Sequence, residues 1–153
     1  MHAPAFAWPA EASLELLNAR SRGTLMEALG IRFTELGEGV LRATMPVDAR
    51  THQPYGLLHG GASVALAETL GSSAGMLMAG GNAVVGLEIN ANHLRAVREG
   101  TVTGSARPLH LGRSTQVWQI EIADAAGRPV CVSRITLAVL PHPPAAGAPA
   151  TSG

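Results

Sequence analysis

Hydrophobic positions along the chain fall into two regimes. Between residues 61 and 79 almost every position is apolar or small, and Glu68 is the one charged residue. A run of that length is too long for a strand and has no polar face, so it predicts a buried helix. Gly80, Gly81 and Asn82 end it, because these residue types accept the left-handed backbone that stops a helix. Beyond them the pattern alternates with a period of two. Val85, Leu87, Ile89 and Ala91 share one face of a predicted strand, with His93 next on that face. Residues 101–106 predict another strand. Over 114–124, Gln116, Trp118, Ile120 and Ile122 alternate with Val117, Gln119 and Glu121. Asp124 to Gly127 then turns the chain into a last strand over 130–140.

Ahead of the long helix the signals are shorter. Ser13 and Thr24 are placed to cap two short helices, over 14–20 and 25–29, and Gly30 follows the second. Strands are expected over 31–36 and 40–45 around a Gly37-Glu38-Gly39 turn, with Pro46 ending the second. Residues 47–58 are too polar for a core and read as a loop. The order is therefore a hairpin, one long helix and four strands with short connections, which predicts an antiparallel sheet on one helix, an α+β fold. It forms one domain over 13–140, with a flexible lead-in over 1–12 and a disordered tail over 141–153. One helix leaves a sheet edge and a face uncovered, so a dimer is expected.

Composition sharpens this reading. Charged residues are 14% of the 153-residue chain and apolar ones 46%. The charged share is well below the usual value of about 25%, which suits a surface partly given to subunit contacts. Net charge is zero, so there is no basic field for nucleic acid and no polybasic patch for a membrane. No apolar run reaches the roughly 20 residues of a membrane span. Cys131 is the one cysteine. It excludes an internal disulfide, alternates within a strand as a core residue, and fits a reducing compartment. With no signal-peptide pattern at the start, a cytoplasmic location is expected.

The candidate chemistry centres on Glu68. Residues three and four apart share a helix face, and the stripe through Glu68 holds Gly61, Ala65, Ser72 and Gly75 or Met76. Most of these are small, so a partner or a thin ligand can come close. A carboxylate on an apolar helix needs solvent, an ion-pair partner such as Arg95 or Arg134, or a cleft. Gly60 and Gly61 open the helix, where unpaired N–H groups and the helix dipole favour a developing oxyanion. His59, just before them, is an acid/base candidate, a ligand-orienting donor or a structural residue. His52 and His110 belong to no evident constellation. The scattered histidines and single cysteine do not form a metal-binding pattern. The serines lack a nucleophile-elbow setting.

Several stretches together resemble the hotdog-fold acyl-CoA thioesterases. They are Gln53-Pro54-Tyr55-Gly56-Leu57-Leu58-His59-Gly60-Gly61-Ala62-Ser63 and Leu66-Ala67-Glu68-Thr69-Leu70-Gly71-Ser72. Residues 45–50, 84–93, 98–100, 108–112 and 116–122 add to the likeness, which covers about residues 14 to 140. The nearest resemblance is to the group acting on 1,4-dihydroxy-2-naphthoyl-CoA and in enterobactin proofreading. It implies a long central helix wrapped by an antiparallel sheet, and a homodimer assembled into a homotetramer. It carries the catalytic carboxylate onto Glu68. Gln53, His59 and the Gly60 N–H fall where the thioester carbonyl is bound and polarised. Ser72 falls where the attacking water is held. His93 and Ser73 fall on the acyl pocket, and Gly112, Arg113 and Ser114 on the stretch that meets the nucleotide of coenzyme A. Coenzyme A is part of the substrate, so no cofactor is implied. An acyl carrier protein is the alternative thiol carrier. Relatives often carry Val or Met at the position of Ser73, where serine is smaller and more polar beside the acyl group, and against the resemblance the turn at Gly80 to Asn82 looks shortened.

The expected activity is hydrolysis of acyl-CoA thioesters, with aryl groups first among the acyl classes. Glu68 acts as general base or as nucleophile. A dehydratase or hydratase on the same scaffold, or a non-catalytic acyl-CoA binder, are the alternatives. Gly60 and Glu68 lie eight residues apart, about 12 Å along an α-helix, too far to act on one carbonyl. If both are catalytic, they must meet across a two-fold axis from two copies of the chain. A lone monomer is then inactive.

Overall fold

The computed structural model describes residues 6–141. Its elements are α1 (Leu14–Arg20), α2 (Leu25–Ala28), β1 (Arg32–Gly37), β2 (Val40–Val47), α3 (Gly60–Met78), β3 (Ala83–His93), β4 (Gly100–Leu111), β5 (Thr115–Ala123) and β6 (Pro129–Leu140). The two predicted caps form. The Ser13 hydroxyl accepts from the Leu16 N–H at 3.1 Å and that of Thr24 from the Met26 N–H at 3.3 Å, satisfying donors left open at helix starts. The six strands make one antiparallel sheet in the order β1-β2-β4-β5-β6-β3. α3 lies on this sheet against β2 to β6.

The interface between α3 and the sheet explains the glycines of the helix. A Cβ on Gly71 would overlap the Ile135 side chain, and one on Gly75 the Leu137 side chain. On the sheet side, Gly104 leaves room for Leu70. The axis therefore sits close to the strands. Leu66, Leu70, Trp118, Ile120, Ile135 and Leu137 are fully buried around it, each large aliphatic side chain contributing about 1.5–3 kcal/mol by leaving water. Gln116 is buried among them. Its amide donates to the Gly75 carbonyl at 3.3 Å and its oxygen accepts from the Trp118 indole N–H at 2.9 Å, which removes the cost of burying it.

Four expectations need correction. β2 runs through Pro46 to Val47, because β1 pairs only as far as Thr44; beyond that point β2 is a local edge and a missing N–H costs little. β4 continues past residue 106 to Leu111 for the same reason. β2 stops pairing at Ala106, and the register then shifts between Pro108 and His110. In β3 a bulge between Gly86 and Glu88 makes Leu87 an extra residue. Side chains change face there, so Val84 shares the core side with Ile89 and Ala91, while Val85 and Leu87 are exposed. The lead-in expected to be loose packs from residue 6 onward. The Trp8 indole donates to the Gly37 carbonyl at 2.7 Å and stacks on Trp118 with centroids 6.2 Å apart. Apart from Pro141, the expected tail over 141–153 lies outside the described residues.

Among the described residues, β3 pairs with β6 on one side and leaves its other edge open over 11 residues. Val85 is 40% and Leu87 61% exposed beside that edge. Among the described residues, no helix is long and apolar enough to cross a membrane.

Candidate functional site

The loop from Asp48 to His59 is fixed from both ends. The Thr51 hydroxyl donates to the Pro46 carbonyl at 2.8 Å, and the Thr51 carbonyl accepts from the His59 N–H at 2.8 Å. The Leu58 N–H donates to the Val97 carbonyl at 2.8 Å, and the His52 Nε2 lies 2.8 Å from the Arg98 carbonyl. Asp48 closes the start of the loop on Arg50 through side-chain contacts of 3.1 and 2.6 Å. The hydrogen-bonded Arg50 guanidinium pulls the Asp48 carboxyl down to about 2. Gln53 accepts from the Tyr55 N–H through its side-chain oxygen, which leaves its NH₂ group as a donor for a ligand.

This loop delivers the start of α3. The helix begins at Gly60, one residue earlier than expected, because His59 is its N-cap. The His59 Nδ1 accepts from the Gly61 N–H at 2.8 Å, so the ring proton of a neutral His59 sits on Nε2. Of the two glycine N–H groups expected to be open, Gly61's is taken. Gly60's has no partner among the described residues. His93 stands against Gly60, and a Cβ there would lie 2.8 Å from His93 Nε2. Gln53, Leu57, Gly60, His93 and Arg95 line one cleft of about 370 Å³.

Glu68 lies elsewhere. It is exposed, and no ion pair holds it among the described residues, so neither Arg95 nor Arg134 serves as its partner. Its carboxylate rests beside β3 at Gly86, where a Cβ would come within 3.0 Å of Oε1. Glu68, Ser72 and Ser73 line a groove with Leu25 and Met26 of the α2 turn. The outward stripe of α3 is Gly61, Ala65, Glu68, Ser72 and Met76, while Gly75 is buried on the sheet side.

One chain thus brings Gln53, Gly60 and His93 together, and Glu68, Ser72 and Ser73 together, but does not join the two sets. His59 is exposed and faces a third hollow with His52, Gly61 and Ala65. Gly112, Arg113 and Ser114 form the β4–β5 turn, held by Gly112 N–H to Thr115 O at 2.8 Å and Val139 N–H to Ser114 O at 2.9 Å. That turn lies at the C-terminal end of α3, since neighbouring Gln116 bonds Gly75. Gly60 is at the other end.

Residues 55–131, which contain all of α3, match the thioesterase superfamily. Proofreading thioesterase EntH of Cronobacter turicensis is 60% identical over 134 residues, 87% of this chain and 98% of its own. The 1,4-dihydroxy-2-naphthoyl-CoA hydrolase of Escherichia coli is 58% identical over 134 residues, again 87% and 98% of the two chains. The chain belongs to the thioesterase superfamily. A thioesterase structure from Haemophilus influenzae superposes with a TM-score of 0.85 at 53% identity, covering 88% of this chain and 95% of that one. The protein is accordingly a thioester hydrolase with the hotdog fold, as the resemblance implied.

Three features of this thioesterase escape sequence reasoning. His59 caps α3 through a ring nitrogen, outside the usual Ser, Thr, Asp and Asn set. The Asp48–Arg50 pair braces the loop before Gln53. Leu17, Arg20 and Met26 from the two short helices wall a groove of about 620 Å³ with Ser72, Ser73, Met76 and Val84. That groove arises from tertiary packing. The one legible signal for it is the pair of capped helices ahead of the hairpin.

Proposed function

We propose that this thioesterase hydrolyses acyl-CoA thioesters at sites shared by two copies of the chain. The observation that carries the proposal is the separation on α3. Glu68 is exposed and unpaired, the open Gly60 N–H stands about 12 Å away along the same helix, and each lines its own cleft. An antiparallel second copy brings Glu68 of one chain to the Gly60 end of the other. The small side chains of the outward stripe permit that approach, and the open edge of β3 offers the sheet contact. The Escherichia coli relative, named as a CoA-thioester hydrolase, supports CoA as the thiol. Carrier-protein thioesters are the other carrier of the same chemistry.

In this reading the thioester carbonyl oxygen accepts from the Gly60 N–H, with the helix dipole stabilising the charge that develops on it. Gln53 assists in orienting the carbonyl, His59 acts through the α3 start that it caps at the Gly61 N–H, and His93 supports Gly60 from the acyl side. Glu68 takes the proton of a water held by Ser72, and that water adds to the carbonyl carbon. Collapse breaks the carbon–sulfur bond, and the thiolate leaves with the proton. Attack by Glu68 itself, giving a mixed anhydride that water then opens, is the covalent version of the same site. Ser73 borders the acyl group, and Gly112, Arg113 and Ser114 meet the nucleotide of coenzyme A. Coenzyme A enters as substrate, and no cofactor is needed. The working form is a homodimer paired into a homotetramer in the cytoplasm.

Mixed dimers test the proposal. Glu68→Gln and Gln53→Ala chains, each inactive alone, are unfolded together and refolded. Shared sites predict that activity returns, because one site in each mixed dimer carries both intact halves. No recovery with intact dimers refutes sharing.

A further inference from the structure

We infer that Arg20 reads the far end of the acyl group, and that this enzyme takes acyl chains ending in an oxygen acceptor, a carboxylate first. The inference rests on the reading above, in which the acyl group lies along α3 from Glu68. Two grooves follow one another on that face. The first holds Glu68, Thr69, Ser72, Ser73 and Met26. The second shares Met26, Ser72 and Ser73 and continues to Met76, Asn82 and Val84, with Leu17 and Arg20 of α1 on its other wall. Arg20 is the one charged residue lining the second groove, and Glu68 the one charged residue lining the first.

Arg20 is exposed and forms no ion pair among the described residues. A guanidinium on the wall of an otherwise uncharged groove has donors to spare and matches a carboxylate in a two-point contact. From Glu68 to Met76 is eight residues, about 12 Å along the helix. A chain extended at about 1.2 Å per bond needs roughly ten carbons to cover that span. The two charges thus give length a sign. A carboxylate on a long acyl chain meets Arg20, while one on a short chain stays near the like charge of Glu68.

The test uses the purified full-length enzyme and four CoA esters, decanoyl, 9-carboxynonanoyl, butyryl and 3-carboxypropanoyl, read by thiol release. The carboxylated ester is expected to exceed its plain counterpart in kcat/KM by about fivefold or more for the long pair, a charge-assisted contact discounted for exposure. It should fall below its counterpart for the short pair. Arg20→Met is expected to bring the long ratio to one or below without moving the short ratio, and Arg20→Lys to keep part of it. A 10-hydroxydecanoyl ester separates a neutral acceptor from a carboxylate and should gain less. A long ratio at or below one in the wild type, or one that Arg20→Met does not lower, overturns the inference. Release from decanoyl-CoA that Glu68→Gln abolishes shows that the underlying reading stands even then. Release indifferent to Glu68 refutes both.

Discussion

The role proposed for Glu68 rests on what α3 lacks. No other charge lies on that helix, and among the described residues the carboxylate stands in the open beside Gly86 without a cation. Glu68→Gln keeps the shape and removes both basicity and nucleophilicity. We expect turnover of a CoA thioester to fall at least about 100-fold, the low end of a general-base contribution, with the melting temperature nearly the same. Near-normal turnover would take Glu68 out of the reaction. This residue was legible in the sequence because a lone charge in an apolar run is anomalous whatever the fold. His59 was visible as a candidate but its capping bond was not, since histidine accepts there only when the loop turns its ring toward Gly61. Arg20 carried no local signal, because the groove it lines with Met76 arises only from tertiary packing.

At the scale of elements, the distance between α3 and the sheet is set by three glycines. Gly75→Ala drives a methyl into Leu137 and crowds Gln116. Overpacking of this kind costs about 1–3 kcal/mol, so calorimetry should show a melting temperature several degrees lower. The loop before α3 has its own signature. Asp48 sits at about 2, below its ordinary 3.8. A depressed carboxylate favours the folded state above the unfolded value, and that contribution disappears as pH falls from about 4 through 2. NMR titration of the folded protein should place the Asp48 midpoint near 2, and Arg50→Met should return it toward 3.8. The elements themselves were largely legible, since periods of 3.6 and 2 differ sharply. The bulge in β3 was not. With Val84 and Val85 both apolar and Gly86 neutral, the pattern fits either phase. Pro46 misled for a related reason. A proline's cost in a strand depends on whether a neighbour reaches it, and that is a property of the sheet.

For the whole molecule, in the proposed dimer, the β3 edge, open among the described residues, is the sheet contact. Long edge strands with exposed apolar residues invite pairing, and Leu87, lifted out by the bulge, stands beside that edge. Leu87→Lys puts a charge there. If the proposed shared site holds, light scattering should show a smaller species and thiol release should fall with it, because each separated chain would keep one half of that site. A dimer of undiminished activity would place the contact on another surface.

The stacking of Trp8 on Trp118 also has an optical consequence. The chain has two tryptophans, and they lie nearly parallel, 9° apart between ring planes. Two indoles held that way share their electronic excitation, so the pair has a circular dichroism and emission unlike those of separate rings. One ring belongs to the lead-in and the other to the floor beneath α3. The thioesterase therefore carries an intrinsic chromophore that reports, without a label, whether its N-terminal segment is seated on the sheet.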